Sequence, residues 1–244
     1  MNRSPHQDED MLTPHGKLRL ANRLTQRQML ALQLFVGFII CAGALFGFWA
    51  LAVAVIKAGP LTQFDQNVAL ALHSWANPIM TRLVTIVSMF GYEILWLVVI
   101  AGAIFFLAMR QRAYLITWLA GYSGAESLNF ILKQTFARPR PSFANPLATA
   151  NYSSFPSGHA MVSLVVYGLL AVFILLHVRH PALRILVTVV TILLVLCIGL
   201  SRIYLGVHYF SDVVAGYAAG TAWLSICISA MDFALNRYHR FRSR

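Results

Sequence analysis

Three short polar segments hold the residue types that could grip and attack an oxyanion. The first is Lys133 followed by Arg138-Pro139-Arg140-Pro141, the second is Pro156-Ser157-Gly158-His159, and the third is Ser201-Arg202, then His208 and Asp212. Lys133, Arg140 and Arg202 bring fixed positive charge, and a guanidinium presents a fork that matches phosphate oxygens. Ser157 and Gly158 stand where an apolar helical run begins, so free backbone N–H groups and the helix dipole favour an anion there. Gly158 lets a ligand come close to the backbone. Pro156 suits the position just before such a helix because it has no N–H to donate. His208 and Asp212, spaced i, i+4, share one helix face. A carboxylate in that position accepts from one imidazole nitrogen, fixes the tautomer and frees the other nitrogen to act as a nucleophile. His159 is then the separate candidate for general acid. The set divides into anion clamp, nucleophile, orienter and proton donor. No group of His, Cys and carboxylates has metal spacing, so the expectation is chemistry with no metal and no cofactor.

The elements that must position these residues read as membrane helices. The chain has 244 residues, of which 59% are hydrophobic and only 11% are Asp, Glu, Lys or Arg, against roughly 25% charged in a soluble domain. Mean hydropathy is +0.68. A soluble fold cannot cover so much apolar surface with so few charges, and disorder is excluded for the same reason. Six runs are each long enough to cross a bilayer: Gln28 to Ile56, Leu83–Met109, Ala113–Leu132, Ser157–His177, Pro181–Ser201 and about His208 to Met231. The expected fold class is therefore all-α, a polytopic membrane protein of six transmembrane helices with the polar segments at their outer ends. Residues 1–27 read as a cytoplasmic tail, 28–232 as one membrane domain and 233–244 as a basic cytoplasmic tail. Residues 58–82 read as a loop with a short amphipathic helix, and 134–156 as a Pro/Asn/Ser-rich loop. The sequence shows no internal repeat and no signal peptide ahead of the first run.

The charges fix an expected orientation. The net charge is +11. With the N-terminus inside, thirteen of the nineteen Lys and Arg fall on the cytoplasmic side and six outside, as the positive-inside rule favours. Four of the six outer cations are Lys133, Arg138, Arg140 and Arg202, which suggests that they stand there for a function. The C-terminal Arg237, His239, Arg240, Arg242 and Arg244 read as a cytoplasmic anchor for anionic membrane lipid rather than nucleic acid. Cys41, Cys197 and Cys227 lie in apolar runs without paired spacing and read as inert thiols. Arg138 lies outside the three-part pattern, with phosphate contact an open alternative. Glu93 and Glu126 fall inside runs, Glu126 on the same helix face as Lys133 in a supporting position. Asp65, His73 and Trp75 are expected to shape the outer loop or interface. Trp49, Trp96, Trp118 and Trp223 are read as packing or lipid-facing residues.

Lys133-x6-Arg140-Pro141, Pro156-Ser157-Gly158-His159 and Ser201-Arg202-x5-His208-x3-Asp212 together resemble the signature of the type 2 phosphatidic acid phosphatase family, the PAP2 or lipid phosphate phosphatase superfamily. Every signature position is filled. The resemblance implies hydrolysis of a phosphomonoester or diphosphate without a metal, through a phosphohistidine on His208, with His159 protonating the leaving group. It implies that Lys133, Arg140, Ser157, Gly158 and Arg202 hold the phosphate while Asp212 orients His208. Soluble vanadium haloperoxidases share the signature, and the membrane runs argue against that branch. The implied partners are a lipid phosphate and the surrounding membrane lipids. Undecaprenyl diphosphate ranks first by analogy with the family, ahead of phosphatidylglycerophosphate, phosphatidate and lipid A phosphates, in a bacterial inner membrane. A lipid phosphotransferase is the alternative enzyme. A transporter using Glu93, Glu126 and Asp212 is the alternative from another class, disfavoured because no paired repeats or broken midplane helices are evident.

Overall fold

The computed structural model describes residues 14–242. Among the described residues there are eight helices and no strand: α1 (Pro14–Ile56), α2 (Pro60–Ser74), α3 (Pro78–Met89), α4 (Glu93–Ala108), α5 (Arg112–Phe136), α6 (Gly158–His177), α7 (Pro181–Tyr204) and α8 (Phe210–Arg242). Proline stands in the first turn of α2, α3 and α7, where its missing N–H costs nothing. The Asn77 side chain caps α3 by accepting from Met80 N at 2.9 Å. Residues 1–13 of the expected tail lie outside the described residues, as do residues 243 and 244 and the side chains of Arg237, His239, Arg240 and Arg242. Helix α1 already begins at Pro14 and α8 runs on to Arg242, so both outer helices extend beyond the apolar runs.

Among the described residues, five helical stretches are long and apolar enough to cross a membrane: Gln28–Ile56, Pro78–Ala108, Gly158–His177, Pro181–Tyr204 and Phe210–Asn236. The second run, expected as one unbroken helix, is interrupted. Helices α3 and α4 meet at Phe90-Gly91-Tyr92, and a side chain on Gly91 would collide with Ile198 and the His159 ring. Tyr167 Oη donates to Phe90 O at 2.7 Å and satisfies a carbonyl left open by the break. The expected third span corresponds to α5, whose 25 residues reach about 37 Å. It is less apolar because it carries Thr117, Ser123, Glu126, Ser127 and Asn129.

The outward faces bear large apolar side chains. Phe35, Phe38, Phe46 and Trp49 on α1 and Ile185, Leu186, Val190 and Leu193 on α7 are all exposed. Such a surface is stable against lipid and not against water. Helix α6 is the central element, with Met161, Val165, Val166 and Leu169 buried among α4, α5, α7 and α8. Trp118 is buried beside it and donates to Val99 O at 2.9 Å, while Trp223 donates to Gly121 O at 3.0 Å. These two tryptophans pack the bundle, whereas Trp49 and Trp96 are exposed. Lipid removes the usual hydrophobic drive between helices, so close backbone approach takes its place. Helix α8 meets α6 in this way: a Cβ on Gly216 would lie 2.6 Å from Ser157 O, and one on Gly220 would lie 2.9 Å from Met161 O. That contact brings the start of α6, which carries the second polar segment, onto the start of α8, which carries Asp212.

Candidate active site

The three polar segments meet at one end of the bundle. Ser157 N donates to Asp212 O at 2.9 Å and ties the start of α6 to the start of α8. Between α7 and α8 the chain reverses tightly, with Val207 N and His208 N both donating to Arg202 O, at 3.2 and 3.3 Å. Gly206 makes this turn at φ 72° with Phe143 packed against it. A β-carbon there would meet the Phe143 ring, and only glycine adopts that backbone conformation freely. The loop after α5 is held over the same place by a strap of backbone carbonyls. Lys133 Nζ donates to Ser153 O at 2.5 Å, and Ser153 Oγ returns a bond to Lys133 O at 2.6 Å. Arg140 donates from Nε to Tyr152 O at 3.0 Å, from Nη2 to Asn151 O at 2.8 Å and from Nη1 to Val207 O at 2.5 Å.

His208 lies at the centre of this assembly and is almost fully buried. Its Nε2 is 3.3 Å from Arg140 Nη1. An arginine can only donate, so this contact requires the lone pair on Nε2 and leaves the ring proton on Nδ1. Nδ1 lies 3.4 Å from Asp212 Oδ2, within reach of the carboxylate but too poorly aligned for a good hydrogen bond. Long contacts of this kind are common in catalytic sites without substrate. Burial drives the imidazole down to about 4, with Asp212 pulling the other way and Lys133 and Arg140 adding to the depression. The ring is therefore neutral at pH 7, with the Nε2 lone pair turned toward Arg140.

Three buried polar atoms of the site lack a hydrogen-bond partner: Ser157 Oγ, Arg202 Nε and His208 Nδ1. Ser157 occupies the N-cap position of α6, yet its hydroxyl makes no capping bond. Arg202 is anchored through Nη1 to Ser88 Oγ at 2.6 Å, while its Nε has no partner. Unpartnered buried donors are costly and call for an acceptor from outside the protein. Gly158 has a further role, since a Cβ there would lie 2.8 Å from Asn129 Oδ1. Asn129 Nδ2 donates to Pro156 O at 3.3 Å and so fastens the start of α6 to α5. His159 lies half-buried against Tyr92, with ring centroids 5.8 Å apart. It sits in the combined field of Arg202, His208, Lys133 and Arg140.

Among the described residues, Lys133, Arg140 and Arg202 have no carboxylate partner. Arg138 is placed differently. It is buried in an ion pair with Asp65 at 2.8 Å and another with Asp212 at 2.5 Å, and it stacks on Tyr209 at 4.3 Å. Phosphate contact by Arg138, left open by the sequence, is not what the geometry offers. Asp65, expected to shape an outer loop, is instead fully buried at the back of the site. Sequence reasoning also missed Ser88, Asn129 and Ser211, whose single polar positions carry no motif. Glu93 is exposed, and Glu126 is half-buried on α5 seven residues before Lys133. Among the described residues, no three His, Cys, Asp or Glu side chains converge as a metal-binding group. The assembled set can hold a tetrahedral oxyanion in a cationic cradle with a neutral imidazole nitrogen beside it.

Known proteins resemble this chain in sequence and fold. The chain is 29% identical over 205 residues to phosphatidylglycerophosphatase B of Bacillus subtilis (strain 168), covering 81% of this chain and 97% of that protein. It is 34% identical over 149 residues to an undecaprenyl-diphosphatase of Sulfolobus acidocaldarius, covering 59% of this chain and 66% of that one. The crystal structure of a transmembrane PAP2-type phosphatidylglycerolphosphate phosphatase from Bacillus subtilis superposes with a TM-score of 0.69 at 30% identity, covering 77% of this chain and 94% of its own. The pattern of the PAP2 superfamily itself matches residues 112–235, which include α5 to the greater part of α8 and all three polar segments. This integral membrane protein belongs to the PAP2 superfamily, whose relatives here are lipid phosphatases.

Proposed function

We propose that this protein hydrolyses the terminal phosphate of a membrane lipid, without a metal, through a phosphohistidine on His208. The observation that carries the reading is the placement of His208: Nε2 faces Arg140 at 3.3 Å while Asp212 stands behind Nδ1. In the reaction, Lys133, Arg140, Arg202, Ser157 Oγ and the first amides of α6 hold the phosphate oxygens. His208 Nε2 attacks phosphorus in line, the bond from phosphorus to the lipid oxygen breaks, and His159 gives that oxygen a proton. Water then attacks the phosphohistidine, His159 takes a proton from the water, and inorganic phosphate leaves. The cradle stabilises the charge on the equatorial oxygens, which is the main task in phosphoryl transfer.

The membrane arrangement belongs to the same proposal. Helix α5 adds one crossing, the third in chain order, to the five apolar stretches and makes six, both termini are cytoplasmic, and the site opens at the outer leaflet of a bacterial inner membrane. The excess of basic residues on the opposite side supports this orientation. For the substrate, likeness along nearly the whole length of a phosphatidylglycerophosphatase favours phosphatidylglycerophosphate. Undecaprenyl diphosphate, ranked first from sequence, is the second reading, supported by likeness over a shorter stretch. Relative turnover of purified protein on both lipids, with phosphatidate and lipid A alongside, decides the order. Release of free phosphate separates hydrolysis from transfer to a second lipid. Equal phosphate release by wild type and His208→Ala overturns the proposal. Full activity in EDTA is the expected result; loss restored only by a divalent cation contradicts the metal-free route.

A further inference from the structure

Behind His208 lies a buried cluster that the proposed reaction does not use directly. Asp65 on α2 is fully buried and accepts from Ser211 N at 3.0 Å, Ser211 Oγ at 2.5 Å and Arg138 Nη2 at 2.8 Å. Arg138 spends its other terminal nitrogen, Nη1, on Ser211 Oγ at 2.8 Å and Asp212 Oδ1 at 2.5 Å. Asp212 Oδ2 accepts from Tyr209 N at 2.9 Å and faces His208 Nδ1. Thus one guanidinium is shared between two fully buried carboxylates, and one of these stands directly behind the imidazole. A buried cation held by a single carboxylate would pull on Asp212 with its whole charge. Sharing it with Asp65 weakens that pull and leaves Asp212 free to act on His208.

We infer that Asp65 and Arg138 are a positioning pair that sets how strongly Asp212 holds His208, so that α2 contributes to the site from outside the three-part signature. This rests on the reading of His208 as nucleophile. The physics gives the two residues opposite signs. Loss of the Arg138 charge exposes Asp212 fully, strengthens its contact with Nδ1–H and makes the imidazole easier to protonate. Loss of the Asp65 charge hands the guanidinium to Asp212, weakens that contact and makes protonation harder. The other charged or titratable groups around His208 are Lys133 from α5, Arg140 from the following loop, His159 from α6, Arg202 from α7 and Tyr209 beside it. All remain in place in both variants, so they shift the baseline and not the difference.

The test uses the full chain in detergent with ring-labelled histidine, the His208 signals being assigned by their loss in His208→Ala. In Arg138→Gln the Nδ1 proton moves downfield and the His208 titration rises by roughly 1 unit. In Asp65→Asn the same proton moves upfield and the titration falls. Phosphate release from a short-chain lipid phosphate drops about tenfold in kcat in both, with KM changed less than twofold and the acid limb following the titration. Arg138→Lys recovers part of the loss. Should Arg138→Gln fail to fold, the nearly isosteric Asp65→Asn decides alone by the direction of its proton shift. Shifts in the same direction in both variants, or no shift while activity falls, overturn the pair and leave it a packing feature. Wild-type protein that releases no phosphate refutes the phosphatase reading instead, and the histidine signals still decide the pair.

Discussion

Arg138 and Arg140 are two residues apart, yet they belong to opposite electrostatic regions. Arg138 is buried in the neutralised back of the site, between Asp65 and Asp212. Arg140 belongs to the front, with Lys133 and Arg202, where no carboxylate among the described residues answers the charge. Positive charge is expensive to desolvate and is tolerated in a helix bundle only with a partner. The back has its partner built in. The front is held by backbone carbonyls from the strap at residues 151–153 and by Ser88, which orient the cations without cancelling them. The difference teaches that the fold assigns a cation to structure or to ligand according to the carboxylates placed beside it, not according to the motif in which it sits.

Substitutions break this comparison in a graded way. The largest effect is expected at the boundary between the regions: His208→Ala lowers phosphate release at least about 10³-fold while membrane insertion is unchanged. A smaller effect is expected in the front, where Arg140→Ala or Lys133→Ala costs on the order of 10²-fold in kcat/KM through lost stabilisation of the transition state. Arg202→Lys keeps the charge but loses the planar fork and its Nε donor, and a loss of roughly tenfold is expected. Added phosphate or vanadate separates the regions further, protecting the wild type against thermal unfolding in detergent and protecting Arg140→Ala much less. The smallest effect is expected at the anchor of α6: Asn129→Ala lowers kcat a few-fold by loosening the start of the helix.

The dependence on pH sharpens the same contrast. His208 is held at about 4 when folded and titrates near 6.5 when unfolded. Between those values the unfolded chain binds the extra proton, so this group makes stability fall as pH drops from about 6.5 toward 4 and adds no further change below. The thermal midpoint in detergent is expected to fall across that window in wild type and to fall less in His208→Ala. For catalysis, His208 as the proposed nucleophile stays largely unprotonated above about pH 5, so any acid limb between 5 and 7 belongs to the substrate phosphate rather than to His208.

Much of the site could be read before any coordinates, because polar residues at the ends of apolar runs are rare and costly and stand out. His208, Asp212, Arg202 and the Ser157–His159 segment were visible for this reason. Asp65 was not: it lies 73 residues from Arg138 in sequence, on a short helix of ordinary amphipathic pattern. Asn129 and Ser88 were hidden because one polar side chain in a helix has no periodicity to announce its partner. The bundle was legible from hydropathy, and the break between α3 and α4 was not. Gly91 is a weak helix signal by itself, and only the packing of His159 and Ile198 against it explains why it is needed.

The central claim is that His208 carries the phosphoryl group. Protein mixed with a lipid labelled in its terminal phosphate and denatured rapidly in alkali, which preserves phosphohistidine, tests it most directly. Label on the wild-type chain that turns over with substrate, discharges in acid and is missing from His208→Ala is the expected result. Equal labelling of the two proteins, or unimpaired phosphate release from His208→Ala, contradicts the account.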